Sequence, residues 1–190
     1  MRYGKADWLW FVDSDMTFAP DTVERLLEHA DPETAPIVGG LCFALNDKGD
    51  IVPTLYGLAG DPRNPDVTQY NEYPVDTMFQ VVATGGACLL IHRSVFERFL
   101  AYEPPQRPGQ RGFNGAYPWF QETEHDGRPV SEDITFCWRA GVLEIPVYVN
   151  TAVQVGHIKD RVLNAASYDL ARGMFATLAE AAAEREQVPA

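Results

Sequence analysis

Asp13 and Asp15 stand at the end of the apolar run Trp8-Leu9-Trp10-Phe11-Val12, two positions apart. On an extended chain, side chains two apart point the same way. At the carboxyl end of a buried strand both carboxylates would face the crevice where open α/β sheets take ligands. Hard oxygen donors with no thiolate beside them suit Mg²⁺ or Mn²⁺, an ion usually shared between a few carboxylates and a substrate's phosphates. The chemistry expected is therefore on a phosphorylated or nucleotide-linked substrate. The same triplet also arises on solvated loops of acidic chains. The apolar run ahead of it weighs against that, because burying an unpartnered carboxylate is costly.

Other residues can join this pair. Ser131-Glu132-Asp133 opens a predicted helix. Acids in a first turn serve the helix dipole, and a carboxylate there can also take a proton from an attacking hydroxyl. His157 follows a predicted strand and Gly156, a suitable place for a metal ligand, although a lone histidine more often serves the surface or core. Lys159 and Arg161 either meet a diphosphate or are solvated. Thr84-Gly85-Gly86-Ala87 reads as a plain turn or as a place where a ligand nears the backbone. Trp119 and Phe120 read as core, or Trp119 as a wall for a sugar ring.

The elements that must position these groups follow from periodicity and breakers. Strands are expected at Trp8 to Val12, Ile37 to Phe43, Val75 to Ala83, Ala87 to Ile91 and around Ile145 to Val149, with Pro146 near an edge or a strand start. Ile51 to Tyr56 completes a hairpin after Asn46-Asp47-Lys48-Gly49. Helices are expected after Pro20, from Ser94 to Leu100, and from Ser131 to Ala140 with Ile134, Cys137 and Trp138 on one face. In the last helix Leu163, Ala166, Leu170, Met174 and Leu178 keep helical spacing. Ala59 to Tyr73 is rich in Gly, Pro, Asn and Asp and reads as a loop. Glu103 to Tyr117, with three prolines and three glycines, reads as a long binding loop or lid.

Composition sets the outer limits. At 190 residues the chain is one domain, or one with an appendage. A net charge of −12 argues against nucleic acid, which needs a basic face, but not against one phosphorylated small molecule beside a divalent cation. Three cysteines without metal-type spacing read as buried free thiols of a reducing compartment. No apolar stretch is long enough to span a membrane and no signal-peptide pattern opens the chain, so a cytoplasmic location is expected.

The ordered set of motifs resembles the GT-A-type glycosyltransferases similar to glycosyltransferase family 2. It comprises Asp13-Ser14-Asp15, the helix Pro20 to Leu27, Ile37-Val38-Gly39-Gly40, Thr84 to Phe96, Pro118-Trp119-Phe120, Ser131 to Gly141 and Val155-Gly156-His157-Ile158. The resemblance implies an α/β three-layer GT-A-like sandwich with a mixed sheet over residues 1–159, followed by a C-terminal helix and polar tail at 160–190. It implies a metal-dependent transfer from a UDP- or GDP-linked sugar to an acceptor hydroxyl, by inversion, with Mn²⁺ or Mg²⁺. Asp15 and His157 would be metal ligands, with Asp13 in the metal shell or at the donor ribose. Asp133 would be the base, Glu132 a neighbour of the sugar or acceptor, and Gly85 and Gly86 the lining of the donor and acceptor region. Relatives usually carry nucleotide-binding strands ahead of the D-x-D strand. The resemblance therefore also implies an N-terminally truncated domain, with a second copy or a partner chain completing the sheet at an exposed edge. Two alternatives stand beside it. Val12 to Thr17 also resembles the first motif of haloacid-dehalogenase-like phosphatases, with Asp13 as nucleophile. A non-catalytic sugar-nucleotide-fold module needing a partner chain is the other.

Overall fold

A computed structural model describes residues 6–61, 64–102, 118–125, 127–159 and 162–186. The chain opens with β1 (Trp8–Val12), β2 (Met16–Thr17), α1 (Thr22–Leu27), β3 (Ile37–Leu41), β4 (Phe43–Leu45) and β5 (Ile51–Pro53). A long hairpin follows, β6 (Leu55–Asp61) and β7 (Asn64–Gln69), then β8 (Met78–Val81), β9 (Ala83–Thr84) and β10 (Cys88–His92). The second half holds α2 (Arg93–Tyr102), β11 (Thr123–His125), β12 (Arg128–Val130), α3 (Glu132–Val142), β13 (Val147–Gln154), β14 (Gly156–Ile158), β15 (Val162–Leu163) and α4 (Ala165–Glu186).

The central sheet has the order β1-β10-β3-β13-β8. It is mixed, since β13 runs parallel to β3 while the β1–β10, β10–β3 and β13–β8 pairs are antiparallel. Its middle strands are apolar on both faces, which marks a sheet covered on both sides. Ile37, Leu89 and Ile91 turn to one face and pack with Val95 and Phe99 of α2 and Phe136 of α3. Val38, Leu90 and Val153 turn to the other and pack with Leu26 of α1. This alternation builds three layers, the α/β sandwich the motifs implied. Each such side chain, with essentially no exposure, contributes about 1.5–3 kcal/mol of burial.

Several local expectations are corrected. β1 is an edge strand rather than a buried one, and Leu9 and Val12 are exposed. The chain does not stay extended through Asp15. It turns at Ser14 and Asp15 and enters a different, three-stranded sheet, β15-β14-β2, so the face-sharing argument for Asp13 and Asp15 does not hold. Most of Ala59 to Tyr73 is strand: β6 pairs β7 from Tyr56↔Gln69 to Asp61↔Asn64. The turn-forming residues concentrate at the hairpin tip, while Leu58 opposite Val67 supplies the cross-strand contact. Pro146 stands directly before the start of β13, one of the two places expected for it, and that strand is interior, paired on both sides. α3 runs past Ala140 to Val142. In α4 the Leu170 and Met174 stripe is exposed, and Tyr168 is the buried anchor, 5.3 Å from the Phe43 ring. Glu103 to Tyr117 lies outside the described residues.

Candidate functional site

The first cluster is built by strand pairing at long range. β14 pairs with β2 through Gly156↔Thr17 and His157↔Met16, and the Ile158 N–H donates to the Asp15 carbonyl at 2.7 Å. This brings His157 Nε2 to 3.1 Å from Asp15 Oδ2, while Lys159 Nζ donates to the same oxygen at 2.8 Å. The Lys159 hydrogen bond, opposed by desolvation and aided by His157, holds the Asp15 carboxyl below its usual range. On the far side of the ring, His157 Nδ1 lies 3.1 Å from the Phe43 carbonyl. A carbonyl only accepts, so Nδ1 carries the proton there.

That geometry fits a cation. A metal-bound histidine ordinarily donates its other ring N–H to a carbonyl or carboxylate, and the Phe43 carbonyl takes that role here. Asp15 and His157 would hold such an ion, which displaces the Lys159 ammonium from its present bond. Among the described residues no three His, Cys, Asp or Glu side chains form a ready-made cage. The protein would thus supply two ligands and leave the remaining positions to water and substrate oxygens, the usual habit of Mg²⁺.

The second cluster gathers on the Gly85-Gly86-Ala87 turn. The Gly86 N–H donates to Asp133 Oδ2 at 3.3 Å, and the Ile134 N–H and the Ser131 hydroxyl donate to Oδ1, the former at 2.7 Å. Ser131 sits at the N-cap position of α3, yet its hydroxyl serves Asp133 rather than a helix amide. One residue further along the turn, the Ala87 carbonyl accepts from the Asp13 N–H at 3.3 Å. The turn therefore ties the end of β1 to the head of α3. A Cβ on Gly85 would come within 3.3 Å of the Thr54 side chain and 3.6 Å of Asp133 Oδ2, so its glycine serves close packing of the turn. Asp13 itself is exposed, as is Glu132.

Tyr56 is the neighbour that sequence reasoning missed. Burial, with the Asp133 charge as a second cause, pushes its phenol up. The pairing of β6 with β9, Tyr56↔Ala83 and Leu55↔Thr84, places it, and no local motif announces that pairing. Trp119 stands elsewhere. It meets Phe96 edge-on at 5.0 Å and lines an apolar pocket of about 200 Å³ with Leu9, Phe11 and Leu100. Phe120 stacks on Phe136 at 4.6 Å. Arg161 lies outside the described residues.

A three-layer α/β domain with a mixed sheet and this site at its strand ends defines the GT-A class of fold. The family model described as glycosyl transferase family 2 matches residues 1–100, more than half of the chain, and the chain belongs to that family. Membership sets aside the haloacid-dehalogenase resemblance. No curated protein matches the chain. Among solved structures, that of A197 from STIV is similar at 14% identity over 81% of this chain, with a TM-score of 0.43. This chain spans 59% of that one. No helix among the described residues is long and apolar enough to cross a membrane.

Proposed function

We propose that the chain transfers a sugar from a nucleoside-diphosphate donor to an acceptor hydroxyl, with residues 1–159 as the catalytic unit. Membership of a glycosyltransferase family supports the class of reaction. The observation that carries the metal-dependent reading is the Asp15–His157 pair, with His157 oriented from behind by the Phe43 carbonyl. A divalent cation held there, Mn²⁺ or Mg²⁺, would supply charge neutralisation for the departing diphosphate. Lys159, freed from Asp15, is positioned to add a second positive charge for the same oxygens. Asp13, anchored through its amide to Ala87, faces the donor from the end of β1.

Asp133 acts as the base. Its Oδ1 is occupied by two donors and its Oδ2 by one long bond from Gly86, which leaves a lone pair on Oδ2 to take the acceptor's proton. Tyr56, protonated beside it, orients that acceptor oxygen. A base on the face opposite the leaving group gives inversion at the anomeric carbon.

Titration calorimetry with UDP- and GDP-sugars, with and without Mn²⁺, tests this reading. Binding should require the metal and vanish in Asp15→Ala. Asp133→Asn should keep that binding and lower turnover by about 10²–10⁴-fold, the usual contribution of a positioned base. Metal-independent binding that Asp15→Ala leaves intact would overturn the assignment.

A further inference from the structure

Two neighbours converge on one oxygen beside β2. Asp15 Oδ2 lies 3.1 Å from His157 Nε2 and accepts from Lys159 Nζ at 2.8 Å. They differ in freedom. His157 is 15% exposed and is fixed from behind by the Phe43 carbonyl. Lys159 follows the last residue of β14 and is 43% exposed. Among the described residues its bond is to Asp15 alone. Its backbone is held in place, because the neighbouring Ile158 N–H donates to the Asp15 carbonyl at 2.7 Å. Only the long, flexible stem can swing, and its ammonium has three donors that suit phosphate oxygens as well as a carboxylate.

We infer that Lys159 couples metal binding to diphosphate binding by exchanging one acceptor for another. The inference rests on the proposed transferase reading and concerns how the two ligands of that site depend on each other. With the Nδ1 proton given to the Phe43 carbonyl, a neutral His157 ring turns its Nε2 lone pair toward Oδ2. Two lone pairs at that distance need a shared positive charge, and the Lys159 ammonium supplies it. A divalent cation on Asp15 and His157 would take over that task at the cost of the Lys159–Asp15 bond. With the cation alone, Lys159 has lost its acceptor. With the diphosphate alone, Lys159 must serve the phosphates or Asp15 and leaves the other unpaired. With both bound, every anion has its cation. Each ligand therefore strengthens the other, and by linkage the factor is the same in both directions. The bond given up is half-exposed, which limits that factor to about two to five.

Titration calorimetry on the full chain tests this with Mn²⁺ alone, and with UDP and GDP in the presence and absence of Mn²⁺. Lys159→Met should tighten Mn²⁺ binding to the chain alone by about two- to fivefold. The factor by which Mn²⁺ strengthens nucleotide binding should fall by the same amount. Lys159→Arg keeps a mobile cation there and should keep most of that factor. The side chain is exposed, so both variants should fold as the parent does. Mn²⁺ binding that tightens in Lys159→Met while the factor stays unchanged would mean plain charge repulsion between Lys159 and the ion. That result overturns the inference and leaves the transferase reading standing, as does Mn²⁺ binding no tighter than the parent's. A parent chain that binds neither Mn²⁺ nor nucleotide would defeat the metal-dependent reading and the inference with it.

Discussion

At the scale of single residues, the Asp15–His157 pair depends on how closely β14 approaches β2. Gly156 stands at that contact, where a Cβ would fall 2.4 Å from Thr17 Oγ1 and 2.8 Å from Val162 Cγ1. Neither neighbour can yield fully, because both belong to strands of the same small sheet. Gly156→Ala should therefore push β14 away from β2 and separate His157 from Asp15. The expected result is a stability loss of about 1–3 kcal/mol, the usual cost of overpacking, with metal-dependent nucleotide-sugar binding weakened at least tenfold. Urea unfolding and calorimetry measure the two effects. A variant that binds the metal and donor as the parent does would show that the approach of the strands is not what sets the pair. Asp15, Asp133 and His157 drew notice in the sequence because each stands beside a predicted strand end or helix start, although each also had a plain structural reading. Their partners did not. Phe43 contributes a carbonyl, which every residue has, and Tyr56 arrives through a strand pair that no local pattern specifies.

At the scale of elements, α3 carries the Asp133 carboxylate at its head. What fixes its position is Phe136, fully buried, stacked on Phe120 and 5.2 Å from the Phe99 ring. The guanidinium of Arg139 lies over Phe99 at 4.7 Å and donates to the Pro118 and Trp119 carbonyls, so the helix is also tied to the segment that brings in Phe120. Phe136→Ala should cost about 3–5 kcal/mol, read from chemical denaturation. The milder Phe136→Leu, which keeps the fold, should lower turnover more than donor affinity, because Asp133 moves with the helix while Asp15 and His157 do not. Equal losses in both would argue that α3 and the β2–β14 pair behave as one unit. Helix positions were readable from the 3.6-residue period, as α1, α2 and α3 attest. The β6–β7 hairpin was not, because its Gly, Pro, Asn and Asp content serves the turn and masks the alternation beside it. The exposed Leu170 and Met174 stripe of α4 misled for a related reason: periodicity marks an apolar face without saying what covers it.

At the scale of the whole molecule, the sheet has two unlike edges. The β8 edge is flanked by the β6–β7 hairpin, whereas β1 pairs only with β10 among the described strands. The five residues of β1 are all apolar or aromatic, and Leu9, 41% exposed, opens onto the pocket formed with Phe11, Phe96, Leu100 and Trp119. Natural edges are usually blunted by a charge, a proline or a bulge, and β1 carries none of these. A net charge of −12 opposes casual association, so any pairing here must come from the strand's backbone ladder and this pocket together. In isolation the chain should self-associate through this strand. Sedimentation across a hundredfold range of concentration should show a dimer that grows with concentration and with added salt, since salt screens the repulsion. Leu9→Lys places a charge on the edge without touching the buried core. It should return the chain to a monomer and leave its unfolding transition within about 0.5 kcal/mol of the parent. A monomer at every concentration and salt, in parent and variant alike, would mean that the edge is satisfied within the chain itself.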